Sequence, residues 1–338
     1  MTKNLGPHNV SAASYTGDAS ARPTVIVTRR LPPAVEERLS QRYTVTLNPS
    51  DRQYEAAELR AALCTADVLL CTLTDRLTRD VLLVPNRRTR LLANFGVGYD
   101  HIDLAAAREA GLIVTNTPGV LTEDTADLTL LLMLSVARRA SEGEQELRAG
   151  AWTGWRPTHL LGRSVHGATL GIIGFGRIGQ AVARRAALGF GMTVQYLARK
   201  QSPGDEIAAP VRDLGTLLST SDFVSLHCPA TPDTHHVIRD ETLRQMKPTA
   251  YLINTARGPV VDSAALARAL GDGTIAGAGL DVYEGEPRVH RDLLSAPHVT
   301  LLPHLGSATI AARTAMGMIA ADNIDAFVGG RQPPHQLA

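Results

Sequence analysis

From Thr24 onward, short apolar runs alternate with segments whose apolar positions recur at helical spacing. The pattern predicts strands over residues 24–27, 43–47, 66–73, 91–95 and 112–115, with helices over 33–39, 54–63 and 103–110 between them. Asn116-Thr117-Pro118-Gly119 then interrupts the alternation. Residues 125–140 read as one long helix with an apolar stripe, and 142–166 as an irregular stretch carrying both tryptophans, Trp152 and Trp155. A second alternating run follows, with strands over 170–173, 193–197, 223–227, 251–254, 276–281 and 299–302 and a last helix over 310–327. Strands separated by helical patterns imply parallel sheets covered on both faces.

The second run opens on Thr169-Leu170-Gly171-Ile172-Ile173-Gly174-Phe175-Gly176-Arg177-Ile178-Gly179. A strand feeding a G-x-G-x-x-G turn, followed by an alanine-rich helical stretch, is the order a dinucleotide site requires. Gly174 permits the tight turn, Gly176 lets backbone approach the pyrophosphate, and Gly179 lets helix and strand pack closely. The helix N-terminus then faces the negative charge. Arg177 reads equally as a pyrophosphate contact and as a solvated helix residue.

Because this turn opens the second run, the cofactor domain interrupts another domain, to which the terminal helix would return. The expected fold class is α/β, with two doubly wound parallel-sheet domains: a Rossmann cofactor domain inserted into a flavodoxin-like substrate domain. Expected boundaries are a disordered tail over 1–22, a substrate domain over 23–117 and 308–338, and a dinucleotide-binding domain over 118–307.

NAD-specific folds place an acid ~20 residues beyond the glycine turn to accept the ribose hydroxyls. Here the strand over 193–197 ends in Ala198-Arg199-Lys200, an alanine followed by two cations. A carboxylate there would repel the 2′-phosphate of NADP, whereas a guanidinium and an ammonium attract it. NADP(H) is therefore the preferred cofactor and NAD(H) the alternative.

Composition narrows the remaining classes. The apolar share of 44% and charged share of 20% describe an ordinary globular protein. With 34 basic against 33 acidic residues, neither a nucleic-acid footprint nor a membrane surface is indicated. No apolar run approaches the ~18–20 residues of a membrane span. Cys64, Cys71 and Cys228 lack metal-ligand spacing and fit a reducing compartment, so a cytoplasmic location is the default expectation. No metal is expected: His235 and His236 read as a helix start beside the cofactor, and Asp103, in Asp100-His101-Ile102-Asp103, as a helix cap.

Three segments at predicted strand ends carry the candidate chemistry. They are Asn254-Thr255-Ala256-Arg257-Gly258, Asp281-Val282-Tyr283-Glu284-Gly285-Glu286-Pro287, and Pro303-His304-Leu305-Gly306-Ser307. In open α/β sheets ligands bind outside the carboxyl ends of strands, so the three can meet in one crevice. Together they suit hydride transfer to a carbonyl. A histidine holds and releases a proton near neutral pH, a carboxylate beside it orients the ring, and Arg257 clamps a substrate carboxylate. Leu73, at another strand end, is a candidate to shape the substrate pocket.

Over about residues 23–333 the chain resembles the D-isomer-specific 2-hydroxyacid dehydrogenase family. The resembling blocks are Asn94-Phe95-Gly96-Val97-Gly98-Tyr99-Asp100, Thr117-Pro118-Gly119-Val120, the glycine turn, and the segments around Arg257, Glu286 and His304. The resemblance implies a catalytic Arg257, an acid/base His304 supported by Glu286, and Asp281 facing the nicotinamide carboxamide. It implies backbone amides at Val97 and Gly98 holding the substrate carboxylate, and Thr125 and Pro229 lining the cofactor. Ile178, Thr234 and Thr255 complete the expected cofactor contacts.

Within the family the chain is most similar to glyoxylate and hydroxypyruvate reductases, in Trp152-Thr153-Gly154-Trp155-Arg156-Pro157, Ala198-Arg199-Lys200 and His304-Leu305-Gly306-Ser307-Ala308-Thr309. The implied activity is reduction of a small 2-oxoacid. Alternatives are a sugar-acid, phosphite or phosphoglycerate dehydrogenase, or a corepressor-like protein that senses dinucleotides. The resemblance also implies a homodimer, with residues 119–155 reaching toward the partner and Trp155 packing in the interface.

Overall fold

The computed structural model describes residues 22–199 and 207–338. The expected N-terminal tail, apart from Arg22, and Lys200 lie outside the described residues. The described residues divide into two compact units, one of residues 22–120 with 310–338 and one of residues 121–199 with 207–309.

The first unit runs β1 (Thr24–Val27), α1 (Pro33–Arg42), β2 (Thr44–Thr46), α2 (Ala56–Thr65), β3 (Val68–Thr72), α3 (Arg79–Leu82), β4 (Leu91–Phe95), α4 (Leu104–Glu109) and β5 (Ile113–Thr115). Its five parallel strands lie in the order β2-β1-β3-β4-β5. Every residue of β3 and β4 is buried, as expected of strands covered on both faces. The side chain of Asp103 caps α4 by accepting the Ala106 amide at 2.9 Å.

The second unit contains α5 (Thr122–Ala137), α6 (Ala140–Arg148), β6 (Thr169–Ile173), α7 (Arg177–Phe190), β7 (Thr193–Leu197), β8 (Ala208–Pro210), α8 (Leu214–Thr220), β9 (Phe223–Leu226), α9 (Asp240–Leu243), β10 (Tyr251–Asn254), α10 (Ser263–Gly271), β11 (Gly277–Leu280), α11 (Arg291–Leu294) and β12 (Val299–Leu301). Seven parallel strands take the order β12-β11-β10-β9-β6-β7-β8. Successive residues feed opposite faces. Val224 and Leu252 enter one apolar cluster, while Phe223, Tyr251 and Ile253 enter the other. The chain then returns to the first unit as α12 (Ile310–Val328), which packs on β4 and α1. After it the C-terminal residues bond to β5, with Leu337 donating to Val114 at 2.7 Å. Two doubly wound α/β sheets are thus present, the class the sequence implies.

Two expectations are corrected. The long helix over 125–140 ends at Ala137, where Arg139 adopts a left-handed φ of 55°, and α6 begins at once inside the stretch read as irregular. No residue of α6 is buried and its one large apolar side chain, Leu147, is exposed, so it offers no apolar stripe of the kind that marks a core-facing helix. Its support is polar: Arg139 pairs with Glu142 at 2.5 Å and Arg148 pairs with Glu144, while Ser141 meets Thr300 at 3.2 Å, Glu142 meets His298 at 3.2 Å and Glu146 meets His159 at 3.0 Å. No helix among the described residues is long and apolar enough to cross a membrane.

Candidate active site

The glycine turn sits on β6, with β9 on one side and β7 on the other. Gly174 has φ of 94° and donates its amide to Leu197 O at 2.9 Å. A Cβ there would lie 2.6 Å from the backbone of His227 and Cys228, so β9 approaches as closely as glycine allows. A Cβ on Gly179 would meet Gly174 O at 2.4 Å, which is the close packing of α7 on the turn. Phe175 is buried and stacks on Tyr196 of β7, with ring centroids 3.8 Å apart. Helix α7 starts at Gly176 with no side-chain cap, so the first-turn amides of Arg177, Ile178 and Gly179 have no partner within the helix. That is a fit for a pyrophosphate: donors converge at a helix N-terminus beside a residue with no side chain.

At the end of β7, Ala198 is half-buried and Arg199 is exposed. Arg199 does not stand alone: its guanidinium pairs with Asp233 at 2.6 Å. The loop after β9 carries Pro229, Asp233 and Thr234. It is closed by the Thr234 hydroxyl, which donates to Pro229 O at 2.5 Å and accepts the Thr231 amide at 2.8 Å.

Residues 233–237, read as a helix start, form a turn instead, and helix resumes only at Asp240. The reason is local. His236 takes a left-handed φ of 48°, donates its amide to Pro259 O at 2.9 Å, and bonds through Nε2 to Glu284 at 2.7 Å. With His235 stacked on it, the three side chains bring metal-capable atoms within 4.8 Å of one another. The Glu284 carboxylate also accepts the Ser263 amide at 3.3 Å, so the pair ties three loops together.

Beside this edge, β10, β11 and β12 are consecutive neighbours and deliver the three chemistry-bearing loops together. Asn254 ends β10, accepting the Ala256 amide and donating to Arg257 O, both at 3.0 Å, which shapes the turn that carries Arg257. A Cβ on Gly258 would fall 1.9 Å from Tyr283, so the Arg257 turn is pressed against the chain that leads to Glu286. Glu286 accepts from His304 Nδ1 at 2.8 Å with one oxygen and from the Tyr283 amide at 2.8 Å with the other. Burial alone would push this carboxyl up. The His304 bond and charge, the Tyr283 amide and Arg257 outweigh it and hold Glu286 below the usual carboxylate value. An ionised Glu286 can only accept, so Nδ1 of His304 carries hydrogen and Nε2 is left for a ligand.

Asp281 does something the sequence does not disclose. Its two oxygens accept the amides of Leu305 at 2.6 Å and Gly306 at 2.8 Å, clamping the loop in which His304 takes φ of 56°. Burial, the largest influence, raises its pKa against those bonds and the His304 charge. The Thr125 hydroxyl donates to Gly306 O at 2.9 Å, and Thr129 links Thr125 to Thr255. Leu73, Val97 and Gly98 lie in the first unit. Leu73 is exposed in the turn closed by Asp75, which accepts the Thr72 amide at 2.7 Å. The carbonyls of Val97 and Gly98 are held by Asn116 and Asn94, each at 2.9 Å.

His227, just beyond the end of β9, is a further titratable group at this edge of the sheet. Its Nε2 bonds to Ser225 Oγ at 2.8 Å, while Nδ1 is buried with no hydrogen-bond partner in the structure. Burial pushes the imidazole down from 6.5 to about 3. The unfolded chain therefore binds a proton that the folded one refuses. Folding stability should fall as pH drops below 6.5, by about 1.4 kcal/mol per unit from this group. Urea titrations at several pH values should show that slope reduced in His227→Asn; an unchanged slope would assign the acid sensitivity elsewhere.

An uncapped helix on a glycine turn, at the carboxyl edge of a parallel sheet, defines a nucleotide-binding α/β protein, and the His–carboxylate pair at the same edge marks it as an enzyme. The profile described as "D-isomer specific 2-hydroxyacid dehydrogenase, NAD binding domain" matches residues 130–306. A glyoxylate reductase of Thermococcus kodakarensis is 46% identical over 319 residues, covering 93% of this chain and 95% of that protein. One of Thermococcus litoralis is 44% identical over 320 residues, covering 93% and 96%. Among solved structures, the NADPH-dependent glyoxylate/hydroxypyruvate reductase of Sinorhizobium meliloti, in complex with NADP and malonate, is 36% identical. It aligns with a TM-score of 0.84 over 94% of this chain and 97% of that one. The chain belongs to the D-isomer-specific 2-hydroxyacid dehydrogenase family, and is a nicotinamide-dinucleotide-dependent oxidoreductase.

Proposed function

We propose that this protein reduces a small 2-oxoacid of the glyoxylate or hydroxypyruvate type to the D-2-hydroxyacid, with NADPH preferred over NADH. The names carried by the relatives at 44–46% identity support the substrate class. The observation that carries the chemistry is the His304–Glu286 pair at 2.8 Å, one strand from Arg257.

The nicotinamide would supply the hydride; the chain's residues do the rest. Arg257 holds the substrate carboxylate and polarises the carbonyl oxygen. His304 enters as imidazolium, its Nδ1–H fixed on Glu286, and its Nε2–H passes to the carbonyl oxygen as negative charge develops there. Glu286 stays ionised, stabilises the imidazolium and sets the ring plane. Asp281 keeps the 304–306 loop in register for that transfer. Gly174, Gly176, Arg177, Ile178 and Gly179 would hold the pyrophosphate, with Thr125, Pro229, Thr234 and Thr255 lining the dinucleotide.

The NADPH preference rests on Ala198 standing where an acid would accept the ribose and on Arg199 beside it. A homodimer would cover Trp155, exposed at 82%, and Leu161, exposed at 65%, in the segment that follows α6.

The test is the initial rate of cofactor oxidation with glyoxylate and with hydroxypyruvate, NADPH against NADH at equal concentration. The expected result is turnover with both oxoacids and a kcat/KM at least about tenfold higher with NADPH, or ~1.4 kcal/mol. Equal use of NADH would remove the preference and leave the reductase; no turnover with either would remove the substrate class.

A further inference from the structure

We propose that Asp233 is a specificity-determining residue for the dinucleotide, acting by occupying the Arg199 guanidinium that the 2′-phosphate of NADPH would take. This rests on the NADPH reading above and deepens it. The sheet order places β7 and β9 on either side of β6, so the loops that follow them flank the glycine turn. Arg199 leaves β7 and Asp233 lies in the loop after β9, 34 residues further on, yet their side chains meet at 2.6 Å. One residue beyond Ala198, which stands where the NAD-type acid would, the fold thus brings a carboxylate from a different loop onto the cation.

The placement has a definite consequence. A dianionic phosphate and an aspartate compete for one guanidinium, and when the phosphate wins, the displaced carboxylate stays close enough to repel it. NADH brings no phosphate and leaves the pair intact. Asp233 therefore lowers the preference for NADPH below what Arg199 alone would produce. Both side chains are exposed, at 73% and 77%, so the pair is weak and solvent-screened, and the phosphate can displace it. The Pro229–Thr234 loop gives the carboxylate a fixed base: the Thr234 hydroxyl, next in sequence, is bonded to Pro229 O and the Thr231 amide.

The inference is tested with the two adenosine ends of the cofactors, 2′,5′-ADP and 5′-AMP, titrated by calorimetry against the full chain. Asp233→Asn should tighten 2′,5′-ADP about two- to five-fold and leave 5′-AMP unchanged, the scale expected of an exposed pair. The gain should shrink at high salt and vanish in an Arg199→Ala background. If Arg199→Ala weakens 2′,5′-ADP but Asp233→Asn matches the wild type, Asp233 has no such role and the NADPH reading stands. An equal gain for 5′-AMP would mean a general charge effect and also overturn the proposal. If Arg199→Ala leaves 2′,5′-ADP untouched, the NADPH reading itself fails and takes this inference with it.

Discussion

Replacing His304 with asparagine should lower kcat for oxoacid reduction by about 10²–10⁴-fold, while NADPH binds as in the wild type. Asparagine is the informative substitution because His304 sits at φ of 56°, a left-handed conformation that asparagine tolerates and most residues do not. The change then removes the ring without forcing the 304–306 loop, which remains held by the Asp281 carboxylate on the Leu305 and Gly306 amides. What is lost is the proton at Nε2, poised because Glu286 engages Nδ1 at 2.8 Å. Stopped-flow or steady-state turnover, beside a fluorescence titration of NADPH, separates the two effects. Near-native turnover would show that some other group delivers the proton. Weakened NADPH binding with normal turnover of the bound complex would make His304 a cofactor residue.

The fold class was legible because its strands are buried on both faces. Val68–Thr72 and Leu91–Phe95 read as near-continuous apolar runs, interrupted only by Thr72 and Asn94, and the glycine turn marks which run binds nucleotide. What escaped was whatever lacks a period of its own. Helix α6 buries nothing, and β8 is a three-residue edge strand ending in Pro210. The turn at 233–237 is set by bonds to Pro259 and Glu284 that are remote in sequence.

The candidate site divides along the same line. Residue types at strand ends, such as Arg257 and His304, suggest chemistry without any knowledge of contacts. The geometry that gives them meaning spans 18 to 34 residues: Glu286 to His304, Asp281 to the Leu305 and Gly306 amides, and Arg199 to Asp233. Spacing does not reveal such pairs, because they depend on which strands become neighbours. Asn254 was nearer to hand. A strand-ending asparagine before a turn is a recognisable signal, and its side chain proves to bracket Arg257 from both sides.

Gly174→Ala should be strongly destabilising, and its comparison with Gly176→Ala divides folding from cofactor binding. At Gly174 two penalties combine: φ of 94° disfavours any side chain, and the new Cβ would stand 2.6 Å from the Cys228 amide nitrogen and the His227 carbonyl carbon. Those are backbone atoms at the end of β9, with no flexible side chain to swing aside, so the β6–β9 edge must part or strain. A loss of about 2–4 kcal/mol is expected, the scale of overpacking added to a φ that alanine does not accept. Gly176 differs on both counts. Its φ is −79° and nothing lies within 4 Å of its Cβ position, so alanine there should leave thermal stability unchanged. The methyl group would nevertheless occupy the approach that the pyrophosphate needs at the start of α7, and NADPH affinity should fall at least about tenfold. Thermal unfolding and cofactor titration on the two variants decide the matter. An intact Tm in Gly174→Ala would mean the turn is looser than its contacts indicate. Undiminished NADPH binding in Gly176→Ala would place the pyrophosphate somewhere other than the α7 N-terminus.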